Sequence, residues 1–195
     1  MGAGILPTTI HNNKIHFLFG KESKYDSTPG WSDFAGGNDN NENQMETAVR
    51  EGTEELTGFL GTEKELKKML SKYGTYNVDW NTYRTHVFPM EYNECLVHYY
   101  NNNQAFLQRK LEPSVFKKYK IFEKAEIRWV PFDKLKKMRG QFRSFYRNVV
   151  DLLLENRPQI EKFIRGSLKR EKGKKTLCNC CRHISLKNKT RKNKK

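Results

Sequence analysis

At 195 residues, 36% of them hydrophobic, the chain is long enough for one domain with a buried core plus an appendage. Its formal charge of +15 is lopsided: residues 166–195 hold twelve Lys or Arg against Glu171 alone, so +11 sits there and +4 in the remainder. No apolar run approaches the roughly 20 residues of a membrane span, the start MGAGILPTTI has no signal-peptide pattern, and the four cysteines are not spaced as a disulfide framework. A reducing, intracellular location is expected, cytoplasmic or, from the basic end, nuclear.

Residues 3–10 and 14–20 are predicted as strands around an Asn12-Asn13 turn, with Ile15, Phe17 and Phe19 alternating onto one face. Met1-Gly2 has the form of a myristoylation start, but Leu6 stands where Ser or Thr is needed, and a strand beginning at Ala3–Ile5 is the better reading. A polar loop over 22–29 precedes Trp31, Phe34 and Ala35, which lead into Gly36 and Gly37. Met45 to about Leu56 is predicted as a helix with Met45, Ala48, Val49 and Leu56 inward. A second amphipathic helix, 63–72, turns Leu66, Met69 and Leu70 inward. Strands are expected at 83–90 and 94–100, an Asn-rich loop at 101–104 and a last strand at 125–130. A turn of helix over 133–138 and a long helix over 142–163, broken or kinked at Pro158, complete the pattern. Strands and helices in this order imply an α/β fold, a mixed sheet between helices. Beyond 166, high charge without apolar periodicity reads as a disordered basic tail.

Within the first helix Glu51, Glu54 and Glu55 stand at i, i+3 and i+4, on one face. Like charges so stacked repel, and a fold keeps them when a cation sits among them. Oxygen-only ligands suit Mg2+ or Mn2+ rather than zinc or copper.

The stretch Gly36–Gly58 resembles the Nudix box, G-x5-E-x7-R-E-U-x-E-E-x-G-U, where U is a bulky aliphatic residue. Gly36, Glu42, Arg50, Glu51, Glu54 and Glu55 fill the matching slots. Gly52 stands in an aliphatic slot, and Thr57 stands where the final glycine is expected, with Gly58 one residue late. GWSDFAGG before the box and EIRWVPFDKL after it are typical company in this family. The resemblance covers roughly residues 1–160 and implies a Nudix-type α/β/α sandwich, here a domain over 1–165 followed by the tail 166–195.

That resemblance implies Mg2+- or Mn2+-dependent cleavage of the pyrophosphate linkage in a nucleoside diphosphate joined to another group. Glu51, Glu54 and Glu55 would ligate metal, and Glu51 or Glu55 would orient or deprotonate water. Arg50 would fix a box carboxylate, and Glu42 would be a secondary ligand or Arg50's partner. Gly36 and Gly37 would let the loop bend close to helix, metal and substrate. A further remote carboxylate is sought among Glu91, Glu94, Glu123 and Glu126; Glu126, in the segment resembling the family's post-box strand, is chosen first. Trp31, Phe34, Tyr99 and Trp129 are candidates to stack on a base, each weighed against core packing. Asn101, Asn102 and Asn103 are weighed for nucleotide contact against a general Asn richness of the chain.

The tail reads as an arm for RNA or another polyanion, against a merely solubilising end. Cys178, Cys180, Cys181 and His183 are zinc-ligand types, but adjacent Cys180 and Cys181 depart from the two-pair spacing of structural sites. Three functions stand side by side: hydrolysis of a small nucleotide derivative; hydrolysis of an RNA 5′ end, cap or diphosphate, with the tail holding the strand; and a non-catalytic nucleotide- or RNA-binding module. The last would be marked by loss of Glu54 or Glu55, and both are present. Nothing in the sequence marks an oligomer interface.

Overall fold

A computed structural model describes residues 1–169 apart from 24, 25, 40, 113 and 116–122. Seven strands make one mixed sheet: β1 (Gly2–His11), β2 (Lys14–Glu22), β3 (Trp31–Ser32), β4 (Phe34–Gly37), β5 (Tyr76–Trp80), β6 (Tyr83–Pro89) and β7 (Lys124–Pro131). Asn12 and Asn13, with φ of 48° and 61°, turn β1 into β2; asparagine tolerates the left-handed pair that a tight two-residue hairpin needs. β1 pairs antiparallel with β4 over Gly2–Ile5 and with β2 over Thr8–His11, and parallel with β6. β2 in turn pairs with β7, with an irregularity at Lys21/Glu22, and with the short β3.

Both faces of the sheet are covered. On one face Ala3, Ile5, Leu18 and Phe34 pack against Ala48, Val49 and Leu56 of α1 (Gln44–Glu55) and its exit, Leu66 and Leu70 of α2 (Glu63–Tyr73) and Leu96 and Tyr100 of α3 (Glu94–Lys110). On the other face Leu6, Ile15, Phe17 and Phe19 meet Leu135 of α4 (Phe132–Met138), Val149 and Leu153 of α5 (Tyr146–Glu155) and Ile160 and Ile164 of α6 (Arg157–Lys169). The expected alternation of Ile15, Phe17 and Phe19 holds, and Leu18 between them serves the opposite core, so β2 is buried on both sides.

Three elements differ from the sequence reading. Residues 94–100 are the start of a helix, not a strand, and 101–104 continue it. Asn93 caps it by accepting the Leu96 N–H at 3.0 Å, and Leu96, Tyr100 and Gln104 are buried at the four-residue helical spacing, which the aromatic and β-branched content of Val97–Tyr100 masked. The strand that pairs with β6 is β5, across an Asn81 turn of positive φ, 52°. Residues 142–163 are not one helix: Phe142 is extended and bridges Trp31, and Asn156 separates α5 from α6. Pro158 lies in the first turn of α6, where a missing N–H leaves no helical bond unmade.

Candidate active site

The helix α1 begins at a capping box. The Asn43 side chain accepts from Met45 N and Glu46 N, and the Glu46 side chain accepts from Asn43 N at 3.0 Å, satisfying amide groups the first turn would otherwise leave open. This fixes where α1 starts and hence which way residues 50–55 face. The two departures from the box are explained locally. A Cβ on Gly52 would lie 2.4 Å from Ile5 Cδ1, so β1 supplies the aliphatic bulk that the helix omits. Thr57 takes φ 48° and Gly58 φ 72°, so the helix still leaves through the left-handed region, with threonine bearing the strain glycine would avoid.

Arg50 gathers the outward carboxylates. Its Nε and Nη2 donate to the two Glu42 oxygens at 2.8 and 3.0 Å, and Nη1 donates to Glu51 Oε1 at 2.7 Å and to Glu54 Oε2 at 3.4 Å. Nη2 also donates to the Gly37 carbonyl at 3.0 Å, tying the glycine loop to the helix. A Cβ on Gly36 would stand 2.2 Å from the Glu51 carboxyl, so a side chain there would push that carboxyl off its place beside Arg50. Gly37 has open space around its Cα, so its contribution is the carbonyl. The Arg50 hydrogen bonds hold the Glu42 carboxyl down to about 2. Burial pushes Glu51 up, Arg50 opposes, and the charges of Glu54 and Glu123 push it further. Four carboxylates (Asp39, Glu42, Glu51 and Glu54) thus face one guanidinium, and the outer cluster carries an excess of negative charge.

Glu55 points the other way. Its side chain is 3% exposed; Oε2 accepts the Ala35 N–H at 2.8 Å, and Oε1 lies 3.0 Å from Lys124 Nζ. Lys124 is fully buried, bonds Glu22 as well, and donates to Ser32 Oγ at 3.1 Å. Arg143 Nη1 donates to Glu22 Oε1 at 2.6 Å. Gly20 makes room for the lysine stem, since a Cβ there would sit 2.8 Å from Lys124 Cδ. Tyr100 OH donates to the carbonyls of Glu55 at 2.8 Å and Lys124 at 3.2 Å, closing the end of α1 onto the start of β7. Burial drives the Glu55 carboxyl well above the usual range, with Lys124 opposing. Burial also works against the Lys124 ammonium, but Glu55 and Glu22 more than offset it and keep its pKa above the ordinary lysine value. Glu22 and Glu55 thus share one ammonium and one guanidinium, the guanidinium also lying 3.7 Å from Asp26.

The remaining sequence candidates fall elsewhere. Glu126, opposite Lys21 in the β2–β7 pairing, is bound by Arg128 at 2.5 Å, while the charge of Glu123 acts on Glu51 and Glu55. Glu91 and Glu94 line a cavity of about 550 Å³ whose wall includes none of the box carboxylates. Trp31 is 3% exposed, packed in the core with the Arg128 guanidinium over its ring, so it presents no open face for a base. Phe34 and Trp129 are also buried, and Tyr99 is exposed on α3. Asn101 is structural: its amide exchanges hydrogen bonds of 3.0 and 2.8 Å with the Ile127 backbone. Cys178, Cys180, Cys181, His183 and most of the basic tail lie outside the described residues. Glu22, Lys124 and Arg143 carried no local signal, because strand pairing across 102 residues brings the first two together.

Among the described residues no three acidic, histidine or cysteine side chains form a ready cage for a metal. Glu51 and Glu54 nevertheless suit a magnesium ion. Both reach the same Arg50 nitrogen, so their oxygens converge, and Mg2+ is commonly held by one or two carboxylates with water and substrate phosphate completing its shell. Glu55 does not fit, since both its oxygens are engaged inside.

No family model matches this chain, and a comparison with curated proteins gives no match. Among solved structures the chain is similar to a C. elegans Ap4A hydrolase binary complex, at 16% identity over 85% of this chain and 97% of that one with a TM-score of 0.44. It is also similar to RenU, a Nudix hydrolase from M. smegmatis, at 16% over 82% and 87% with 0.48, and to the MutT protein of Methanosarcina mazei Go1, at 16% over 85% and 92% with 0.40. At these identities the likeness is one of chain path, and the chemistry rests on this chain's own residues.

Proposed function

We propose that this chain is a Nudix-type hydrolase that cleaves the pyrophosphate linkage of a nucleoside diphosphate derivative with Mg2+, or Mn2+, as cofactor. The observation that carries the reading is the negative excess around Arg50, pressed against the Gly36–Gly37 backbone, where a Glu51 carboxyl leaves no room for a side chain. A bound divalent ion would neutralise phosphate charge and lower the pKa of a ligated water. Glu51 and Glu54 would hold it. Glu51 would also orient the attacking water. Arg50 fixes the Glu42 and Glu51 rotamers and, through the Gly37 carbonyl, the loop. Glu123, whose charge already reaches Glu51, takes the remote-carboxylate role in place of Glu126.

The test is a panel of nucleoside triphosphates, sugar nucleotides, dinucleoside polyphosphates, inositol pyrophosphates and capped RNA, assayed with Mg2+ and with Mn2+. Cleavage of at least one nucleotide, lost in Glu51→Gln, supports the reading; a folded protein inert toward all of them overturns it. The +11 charge of residues 166–195 favours an RNA 5′ end as the second reading, because such arms add strand affinity without sequence preference. Deleting 166–195 separates the two: loss of RNA cleavage with free nucleotides still hydrolysed selects RNA.

A further inference from the structure

The proposed reading leaves Lys124 without a task, yet it is the most deeply buried charge beside the box. We infer that the Lys124 ammonium is a built-in cation standing where the box would otherwise recruit a metal to Glu55. Divalent metal is thereby confined to the outer carboxylates, and Glu55 becomes a positioning residue for the glycine loop. This inference rests on the magnesium reading above.

Four observations carry it. Lys124 Nζ stands 3.0 Å from Glu55 Oε1 and also binds Glu22, with no exposed surface. The other Glu55 oxygen holds the Ala35 N–H, directly before Gly36. Arg143 closes the far side of Glu22, so the two buried carboxylates already share an ammonium and a guanidinium, and a divalent ion could be held there only by displacing Lys124. Gly20 leaves room for the lysine stem over β2, since a Cβ would meet Lys124 Cδ and Cγ at 2.8 and 2.9 Å. A lysine also differs from a metal in what it does: it offers three donors and a fixed single charge, but no open position for water or phosphate. Lys124 therefore orders the loop through Glu55 and Ala35 while the exposed side of the helix does the ion binding.

The experiment is Mn2+ titration of the full chain, followed by the EPR signal of free Mn2+, with Mn2+ itself as the probe. As a single change, Glu54→Gln should weaken binding by roughly tenfold or more, at least the effect of losing a ligand's outer-shell partner. Glu55→Gln should leave affinity within about twofold, since its carboxylate is not a ligand. Lys124→Met should gain a further Mn2+ that Lys124→Met/Glu55→Gln loses again. If Lys124→Met does not fold, the contrast between Glu54→Gln and Glu55→Gln decides alone. Equal weakening by both would overturn the inference while leaving the magnesium reading in place. A wild-type chain that takes up no Mn2+ would overturn the magnesium reading, and this inference with it.

Discussion

Glu54 and Glu55 are neighbours in the chain and opposites in the fold. The Glu54 side chain is 60% exposed, at the loose end of a cluster in which carboxylates outnumber the single guanidinium. Glu55 is 3% exposed, inside a quartet in which two carboxylates share two cations. One helix turn thus divides a uniform-looking acidic motif into a half with an unmet appetite for cations and a half already satisfied. The partner strand, not the motif, sets the role: β7 delivers Lys124 to one side of α1 and leaves the other open to solvent.

The division can be broken from the inside first. Lys124→Ala removes the cation shared by Glu22 and Glu55, and stranding buried carboxylates costs about 3–5 kcal/mol; chemical denaturation should register that loss, and a change under 1 kcal/mol, roughly the value of an exposed pair, would show the quartet to be unimportant. On the outer side, Glu54→Gln should lower turnover by roughly a hundredfold, about 3 kcal/mol in the barrier. Its melting temperature should stay near wild type, because the side chain is mostly solvated.

A third effect sharpens the contrast within the core. Asp33 is fully buried and accepts from Tyr83 OH at 2.5 Å and Thr85 Oγ1 at 2.8 Å; burial, opposed by these bonds, raises its carboxyl to about 6. The folded state then keeps a proton that the unfolded chain, near the ordinary 3.8, has released. The stability this group contributes is present below about pH 4 and is lost as pH rises through about 6, by at most about 3 kcal/mol. Asp33→Asn should remove that slope, read as the difference between wild-type and variant unfolding free energies across the window. The smallest effect is at the helix exit. Thr57→Gly should stabilise by about 1 kcal/mol by relieving a left-handed threonine, and a loss of stability would mean the threonine side chain does more than tolerate the turn.

How much of this was legible in the sequence follows chain distance. The first hairpin was, because Asn12-Asn13 and the Ile15–Phe17–Phe19 alternation are local signals. So was the outer cluster, since Gly36, Glu42, Arg50, Glu51 and Glu54 lie within one loop and helix whose capping box fixes their facing. The inner cluster was not. Lys124 meets Glu22 only through the β2–β7 pairing, and Arg143 arrives from the segment before α5. The remote carboxylate depends on the same distance: Glu126 and Glu123 are three residues apart, and the charge of Glu123 reaches Glu51 through the way β7 emerges beside α1. Residues 94–100 failed differently, their β-favouring composition outweighing the four-residue spacing of Leu96, Tyr100 and Gln104.

The most direct test is turnover against Mg2+ concentration for the best panel substrate, wild type beside Glu54→Gln. Hydrolysis should vanish in EDTA, return with added Mg2+, and need roughly tenfold more Mg2+ in the variant. Turnover that persists in EDTA, or two superimposed curves, would contradict the assignment of the outer carboxylates as the place where the divalent ion is held.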